Sequence, residues 1–294
     1  MIEVPSVGMF RSEDHKYWFN GVGSYPSVTT AIDMLDKSDA LVGWAKRETA
    51  SFAIRHLDTL VAHRQHNYPI PECDPCAANL ARGRRMVGQQ DAARMWVSSI
   101  PDYIKDQAAD LGTRVHEIAE MLGQASPIAR AFDVPTELAP FAAQYRNFMA
   151  ERRPRYEAIE YMGLSRTHGY AGTGDILARL DWRIGDAQWL ESDPLVAIDI
   201  KTHTKDTPLP KTYYPKTGMQ LAACSRFDFI GKPDDPTEYP MPEVDAYAVL
   251  LLGREDYRLI PYAVTGSTFD AFLACLRLYR WKNGEAQTIV GKVA

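Results

Sequence analysis

The 294-residue sequence predicts an α/β fold in which a central mixed β-sheet is flanked by helices and preceded by a mostly helical N-terminal region. In the first half, apolar residues recur at helical spacing, whereas from Tyr156 onward short apolar runs indicate strands. The second half orders its elements as a helix, three strands, a helix, two strands and a helix. This order differs from a regular βαβ winding, so we expect a mixed sheet.

The N-terminal half begins with an extended segment at residues 17–25, and the proline and hydroxyl residues of 26–30 are typical of a helix entrance. Apolar spacing then predicts helices over residues 28–36, 38–63, 79–99, 102–122 and 137–151. A stretch with three prolines, residues 68–76, indicates a loop. We place a boundary between a helical region, 1–101, and an α/β core, 102–294.

Strand patterns dominate the core. Short apolar runs bounded by turn residues predict strands at 157–165, 174–184, 195–202, 246–252 and 257–264. Helical spacing predicts helices at 217–229 and 267–282.

Composition excludes several classes of protein. Hydrophobic residues make up 46% and charged residues 24%, which is not typical of disordered, collagenous or coiled-coil chains. The longest apolar run, residues 246–252, falls far short of the roughly 20 residues of a membrane span, and the first residues lack the apolar segment of a signal peptide. We therefore expect no membrane contact and a cytoplasmic location. A net charge of −5 gives no overall attraction to nucleic acid, so any DNA contact must be local.

Five polar residues that could bind a metal or take part in catalysis follow one another along the core. They are His116 in a predicted helix, Asp175 at the start of a predicted strand, Asp199 and Lys201 on a later strand, and Gln220 on the helix after it. Asp199 and Lys201 are two residues apart and therefore lie on one face of their strand, with Val196, Ile198 and Ile200 facing the core. A hairpin-like stretch around Gly185 allows the two strands to pair, so the two carboxylates should converge.

Two carboxylates and an imidazole form a hard site suited to Mg²⁺ or Mn²⁺. A lysine beside such a site is not a ligand, but its cation can position the attacking water and stabilise a pentacoordinate phosphate. This combination suits phosphodiester hydrolysis.

In this order, these residues resemble the PD-(D/E)XK nuclease superfamily, and in particular its RecB-like branch, which includes phage exonucleases and the CRISPR-adaptation nucleases. The phrases YPSVTT at residues 25–30 and ALVGW at residues 40–44 are similar to phage-encoded members. The resemblance implies a restriction-endonuclease-like core. It also implies metal ligation by His116, Asp175, Asp199 and the backbone carbonyl of Ile200, with Lys201 as the catalytic lysine and Gln220 along the active-site groove.

The sequence departs from the superfamily pattern at two positions. Cys224 stands where the Gln-x-x-x-Tyr helix has its tyrosine, so this helix lacks the substrate contact that the tyrosine makes in the superfamily. Gly174 stands where the superfamily name has proline, a change that this branch often tolerates.

The resemblance implies a metal-dependent deoxyribonuclease, an exonuclease acting in phage recombination or DNA processing, with a helicase or recombination protein as a candidate partner. The alternative is a catalytically silent protein of the same fold that binds DNA ends or a protein. A silent copy is expected to lose the lysine or a carboxylate, and this chain retains them.

Residues 201–226 carry five basic side chains and one acidic side chain, a local net charge of +4. Within this segment, Lys205, Lys211, Tyr213, Tyr214 and Lys216 are candidate DNA-binding residues. Lysines can follow a phosphate backbone while an aromatic ring stacks on a base. Alternatively, the tyrosines pack on the sheet and the lysines are simply solvated.

A second candidate metal site is a cluster of zinc-competent residues, His63, His66, Cys73 and Cys76. Its alternative interpretation is a helix end followed by a proline-rich loop. The cysteine spacing does not fit the iron–sulphur pattern of some RecB-like nucleases, so we expect no cluster. Glu120, four residues after His116, stands where a zinc protease has its second histidine, which disfavours that class.

Overall fold

The computed structural model describes residues 4–35, 38–66, 94, 96–124, 134–180, 183–184, 188–189, 193–204, 207–211 and 214–289. The chain divides into two compact units, one formed by residues 1–35 and 114–294 and the other by residues 36–113. The boundary expected between residues 101 and 102 therefore falls inside the second unit, and the N-terminal 35 residues belong with the core. Among the described helices, none combines the length and the apolarity that a membrane crossing requires.

The strands are β1 (Met9–Arg11), β2 (Lys16–Phe19), β3 (Val22–Pro26), β4 (Arg155–Ser165), β5 (Tyr170–Arg179), β6 (Arg183–Ile184), β7 (Gln188–Trp189), β8 (Leu195–Thr202), β9 (Phe229–Lys232), β10 (Asp235–Pro240), β11 (Ala246–Leu252) and β12 (Tyr257–Pro261). The helices are α1 (Val28–Ile32), α2 (Ser38–Arg55), α3 (Leu57–His66), α4 (Ile100–Gln124), α5 (Ala139–Arg152), α6 (Pro215–Cys224), α7 (Gly266–Asn283) and α8 (Ala286–Ile289).

A seven-stranded mixed sheet organises the first unit, with strand order β10-β9-β4-β5-β8-β11-β12. Strands β8 and β11 are parallel, and the other neighbours are antiparallel. The predicted α/β class with a central mixed sheet flanked by helices is therefore confirmed. A separate three-stranded sheet contains β1, β2 and β3.

Several predicted boundaries are wrong. The helix predicted to reach residue 229 ends at Cys224, and the unpredicted strands β9 and β10 follow. Strand β5 begins at Tyr170, so Asp175 lies inside the strand instead of at its start. The glycines at 172 and 174 obscured that strand, because glycine is depleted in strands and suggests a turn. Of the helix predicted at 79–99, all but residues 94 and 96–99 lie outside the described residues.

Strand β8 is buried on both faces. Leu195 and Ala197, on the face that carries Asp199, pack in a cluster with Leu221 of α6. Ile198 and Ile200, on the other face, are equally inaccessible. The expectation that one face of this strand is open to chemistry is therefore wrong, because central strands paired in parallel are covered by helices on both sides. Only the strand end, Lys201 and Thr202, is half-buried.

The N-terminal segment contributes to the same core. Ser27 caps α1 by accepting a 3.0 Å hydrogen bond from the backbone N–H of Thr30, which confirms the predicted helix entrance. Met9 and Phe19 of the small sheet pack with Leu164 of β4 and Phe229 of β9. The sheet that holds the candidate residues is therefore covered in part by the first 35 residues.

The second unit contains α2 and α3. Within it, the rings of Phe52 and His56 both contact Trp96, with centroid distances of 5.0 and 5.5 Å.

Candidate metal centre

The centre forms where β5 and β8 stop pairing. Their last pair on this side is Ile176 with Ile198. One residue further, Asp175 Oδ2 accepts a 2.6 Å hydrogen bond from the backbone N–H of Ile200. The Asp175 carboxylate thus takes the place of the backbone carbonyl that a paired strand would offer to the Ile200 N–H. The backbone carbonyl of Ile200 lies where the two strands separate.

Three carboxylates come from neighbouring strands of the sheet. The pairs that flank Glu160 on β4 place it opposite Asp175, and Asp199 lies one residue beyond the last β5–β8 pair. Asp175 interacts electrostatically with both Glu160 and Asp199. In addition to burial, the charge of Glu160 raises the pKa of Asp175, and the charge of Asp175 raises the pKa of Asp199. These carboxylates therefore require cations or protons for balance.

Helix α4 supplies the imidazole. Val115, Ile118, Ala119 and Leu122 form its buried stripe, and His116 lies at the border of that stripe with a quarter of its side chain exposed. Its Nδ1 is 3.1 Å from Glu160 Oε1, and its Nε2 is 3.1 Å from the carbonyl oxygen of Ile200. Nδ1 also lies 3.8 Å from Asp175 Oδ2.

Lys201 and Asp199 form an ion pair at the end of β8. Lys201 Nζ lies 2.5 Å from Asp199 Oδ2 and 3.3 Å from the carbonyl oxygen of Ile200. The Asp199 side chain is 4% exposed, and its Oδ1 has no hydrogen-bond partner among the described residues. A buried carboxylate oxygen without a donor is costly and fits a site that takes a cation.

The pKa values reflect this crowding. Burial raises the pKa of Asp199 to about 6, against the opposing effect of Lys201. Burial likewise raises the pKa of Asp175, although His116 and Lys201 act in the other direction. Burial disfavours the charged imidazole of His116, but the carboxylates of Asp175 and Glu160 raise its pKa to about 9. Protons therefore balance the negative charge when no metal is bound.

Sequence reasoning missed Glu160. The residue lies within a predicted strand, but its place opposite Asp175 depends on the pairing of two strands, which no local pattern reveals. Its backbone has a φ of 48°, in the left-handed region that a residue other than glycine rarely adopts within a strand. Such strain costs on the order of 1–3 kcal/mol and is typical of functional sites.

The donor set fits a hard divalent cation. Ligand atoms of His116, Glu160 and Asp175 lie within 4.8 Å of one another, and the Ile200 carbonyl is adjacent. Oxygen donors with one imidazole suit Mg²⁺ or Mn²⁺. Of the expected ligands, Asp199 lies outside this group and pairs with Lys201 instead.

Helix α6 covers the Asp199 side of the centre. Gln220, Asp175 and Asp199 line one small cavity together with Tyr161 and Cys224. The Tyr161 hydroxyl donates a 3.3 Å hydrogen bond to the Cys224 carbonyl, and the Cys224 thiol is buried. The phenol ring in this cavity therefore comes from β4, and the helix position where the superfamily pattern has its tyrosine is Cys224, as the sequence indicates.

The remaining candidates divide into two groups. Lys211, Tyr214 and Lys216 are exposed at or near the start of α6, so Tyr214 does not pack on the sheet. Lys205 and Tyr213 lie outside the described residues, as do Cys73, Cys76 and the side chains of His63 and His66. The structure therefore brings together His116, Asp175, Asp199, Lys201 and Gln220 and adds Glu160.

No protein-family model matches the chain, and comparison with curated proteins finds no similar sequence.

Proposed function

We propose that this protein is a metal-dependent DNA nuclease with a restriction-endonuclease-like core of the RecB-like type, acting as an exonuclease in DNA recombination or processing. The observation that carries the proposal is the convergence of His116, Asp175 and Asp199 with Lys201 where β5 and β8 separate. A lysine ion-paired to a buried carboxylate beside an oxygen-rich metal site is suited to phosphodiester hydrolysis.

The donor groups that would hold Mg²⁺ or Mn²⁺ are His116, Asp175 and the Ile200 carbonyl. Asp199, which pairs with Lys201 through Oδ2, would contribute its buried Oδ1, which has no hydrogen-bond partner among the described residues. A bound divalent cation there would polarise a phosphoryl oxygen and neutralise the leaving oxygen. Asp175 also fixes the end of β8 by accepting the Ile200 N–H, so the carbonyl of the same residue is held in place.

Lys201 would act on the attacking water and the reacting phosphate, whereas the metal ligands hold the cation. Asp199 stabilises its ammonium group, and the quarter-exposed side chain reaches solvent from the end of β8. From there Nζ can orient the attacking water and donate to a non-bridging oxygen as negative charge develops on the phosphate. Lys211, Tyr214 and Lys216 would contact the DNA backbone and bases beyond the reacting phosphate.

The direct test incubates the full-length protein with linear and closed circular DNA, single- and double-stranded, with Mg²⁺, Mn²⁺ or EDTA. We expect cleavage of linear DNA with either metal and none with EDTA. Cleavage of closed circles would replace the exonuclease assignment with an endonuclease. Binding of DNA ends without cleavage under any condition would instead favour the catalytically silent protein.

Replacing Lys201 tests whether DNA cleavage takes place at this metal centre. We expect Lys201→Ala to lower the cleavage rate by a factor of about 10² or more, since one preorganised donor to developing charge contributes that much. DNA affinity should remain close to that of the wild type. Lys282→Ala, on the exposed end of α7, is the matched control.

Because Lys201→Ala leaves Asp199 buried without its ion-pair partner, thermal unfolding must accompany the rate measurement. A folded Lys201→Ala protein with full activity would exclude Lys201 from the reaction.

A further inference from the structure

We propose that Glu160 is the positioning residue that holds the His116 imidazole with Nε2 directed at the metal site. The inference rests on the metal site of the proposed function and adds a residue that the sequence motif does not contain. The structural basis is the pair of contacts at the two ring nitrogens of His116, together with the backbone of Glu160.

The two ring contacts determine the orientation of His116. Nδ1 is 3.1 Å from Glu160 Oε1, and Nε2 is 3.1 Å from the carbonyl oxygen of Ile200, one of the proposed ligands. A carboxylate only accepts hydrogen bonds, so the Nδ1 position carries the proton that is shared with Glu160. The Ile200 carbonyl is an acceptor too, so the metal-free ring carries a proton on Nε2 as well. A bound metal would take the place of that second proton, at the nitrogen beside the Ile200 carbonyl, and leave Nδ1–H on Glu160. Metal-bound histidines commonly donate their other N–H to a carboxylate in this way.

The backbone of Glu160 supports a specific role for the side chain. The left-handed φ of 48° occurs at one residue, while its neighbours Ile159 and Tyr161 pair in register with Ile176 and Gly174. Pairing on both sides holds Glu160 in this conformation, and residues held in strained conformations cluster at functional sites.

The ionic partner of Glu160 also differs from that of Glu157, the other glutamate on β4. Within the described part of the chain, Glu160 pairs with His116, whereas Glu157 pairs with Arg179 at the surface. The two glutamates of β4 therefore give a matched comparison between a site residue and a surface residue.

The first measurement is Mn²⁺ affinity by calorimetry, without DNA, for the wild type, Glu160→Gln, Glu160→Ala and Glu157→Gln. Glu160→Ala should bind Mn²⁺ about 10- to 100-fold more weakly, the usual effect of removing the partner of a metal-bound histidine. Glu160→Gln retains an acceptor oxygen for Nδ1–H and should recover most of the affinity. Glu157→Gln should match the wild type.

The second measurement reads the tautomer of His116 by ¹⁵N NMR of histidine-labelled protein saturated with Mg²⁺, with His116→Gln assigning the signals. We expect protonated Nδ1 and unprotonated Nε2 in the wild type and in Glu160→Gln, and loss of this single tautomer in Glu160→Ala. A structural role alone would leave the tautomer unchanged.

Two outcomes would overturn the inference. If Glu160→Ala changes neither affinity nor tautomer, Glu160 does not position His116. If Glu160→Gln loses as much affinity as Glu160→Ala, the Glu160 charge binds the cation directly and the positioning role is wrong. Glu160→Gly provides a second variant without the side chain, because glycine adopts the observed φ without strain.

The two proposals fail separately. A protein that cleaves no DNA but shows this pattern of affinity and tautomer retains the positioning role and loses the nuclease assignment. A protein that cleaves DNA while all glutamate variants bind Mn²⁺ equally retains the nuclease assignment and loses the positioning role.

Discussion

At the residue scale, the protonation of His116 links the centre to stability. The metal-free folded protein holds this proton more tightly than an unfolded chain does, because Asp175 and Glu160 face the ring and outweigh the effect of burial. The resulting stabilisation is fully present below the ordinary histidine pKa of about 6.5 and is lost as the pH rises to about 9.

We therefore expect the free energy of unfolding of the metal-free protein to fall between pH 6.5 and pH 9, by at most about 1.4 kcal/mol per pH unit. Urea denaturation in the presence of EDTA measures this slope. Above pH 6.5, the titration of Asp199, whose pKa is about 6, is largely complete. Mn²⁺ affinity should rise over the same interval, since the metal competes with a proton for Nε2.

The control for this prediction is His116→Gln, which retains a polar side chain without the titration. Its unfolding free energy should fall less steeply than that of the wild type over this interval, with a remaining slope near pH 9 from the buried thiols of Cys224 and Cys275, whose pKa values burial raises. A slope identical to that of the wild type would assign the titration to another group.

At the element scale, the contact between β4 and β5 explains why residue 174 is a glycine. A Cβ at Gly174 would lie 2.3 Å from Cζ of the Tyr161 ring. Tyr161 is 5% exposed, and its hydroxyl donates a hydrogen bond to the Cys224 carbonyl, so the ring has little room to move. The phenol ring crosses the space that a side chain at residue 174 would need.

We expect Gly174→Ala to destabilise the protein by about 1–3 kcal/mol, the usual cost of overpacking a core. Thermal unfolding monitored by circular dichroism should show a lower Tm. Gly266→Ala is the control, because an added Cβ there meets nothing within 4 Å and lies at the first position of α7. Equal Tm values for the two variants would contradict the proposed steric role of Tyr161.

The start of α6 carries the proposed DNA contacts. If Lys211 and Lys216 neutralise phosphates, the double variant Lys211→Ala/Lys216→Ala should reduce the slope of log K against log salt concentration by about 1 to 2. Fluorescence anisotropy with labelled DNA at several salt concentrations measures the slope. The double variant Arg277→Ala/Lys282→Ala on α7 should leave it unchanged, and a reduction of equal size there would refute a local DNA contact.

At the scale of the whole molecule, the N-terminal small sheet is part of the structure that supports the centre. The Phe19 ring contacts the Phe229 ring of β9 at a centroid distance of 4.8 Å, and the Tyr17 hydroxyl lies 2.9 Å from Thr173 Oγ1 on β5. Strand β5 also carries Asp175, so the first 35 residues stabilise the strand that holds this candidate ligand.

We expect Phe19→Ala to lower the free energy of unfolding by about 3–5 kcal/mol, as for other buried phenylalanines. Val22→Ala in the same sheet removes a side chain that is 68% exposed and should have little effect. Denaturant titration of both variants measures the difference. Similar stabilities would show that the small sheet does not support the core.

Local sequence patterns predict part of this centre, because they determine which residues share a face of one element. The spacing of Asp199 and Lys201 places both at the end of β8, and the apolar stripe of α4 leaves His116 at its border. Strands β8 and β11 begin and end as predicted, since continuous apolar runs mark buried strands.

Only the tertiary structure decides how the elements combine. The register between β4 and β5 places Glu160 opposite Asp175, and the left-handed backbone at Glu160 accompanies its contact with His116. Helix α6 covers the face of β8 that carries Asp199, and Tyr161 from β4 fills the space at Gly174. These features depend on contacts between residues that are distant in the chain, and hydrophobic period carries no information about strand register across such distances.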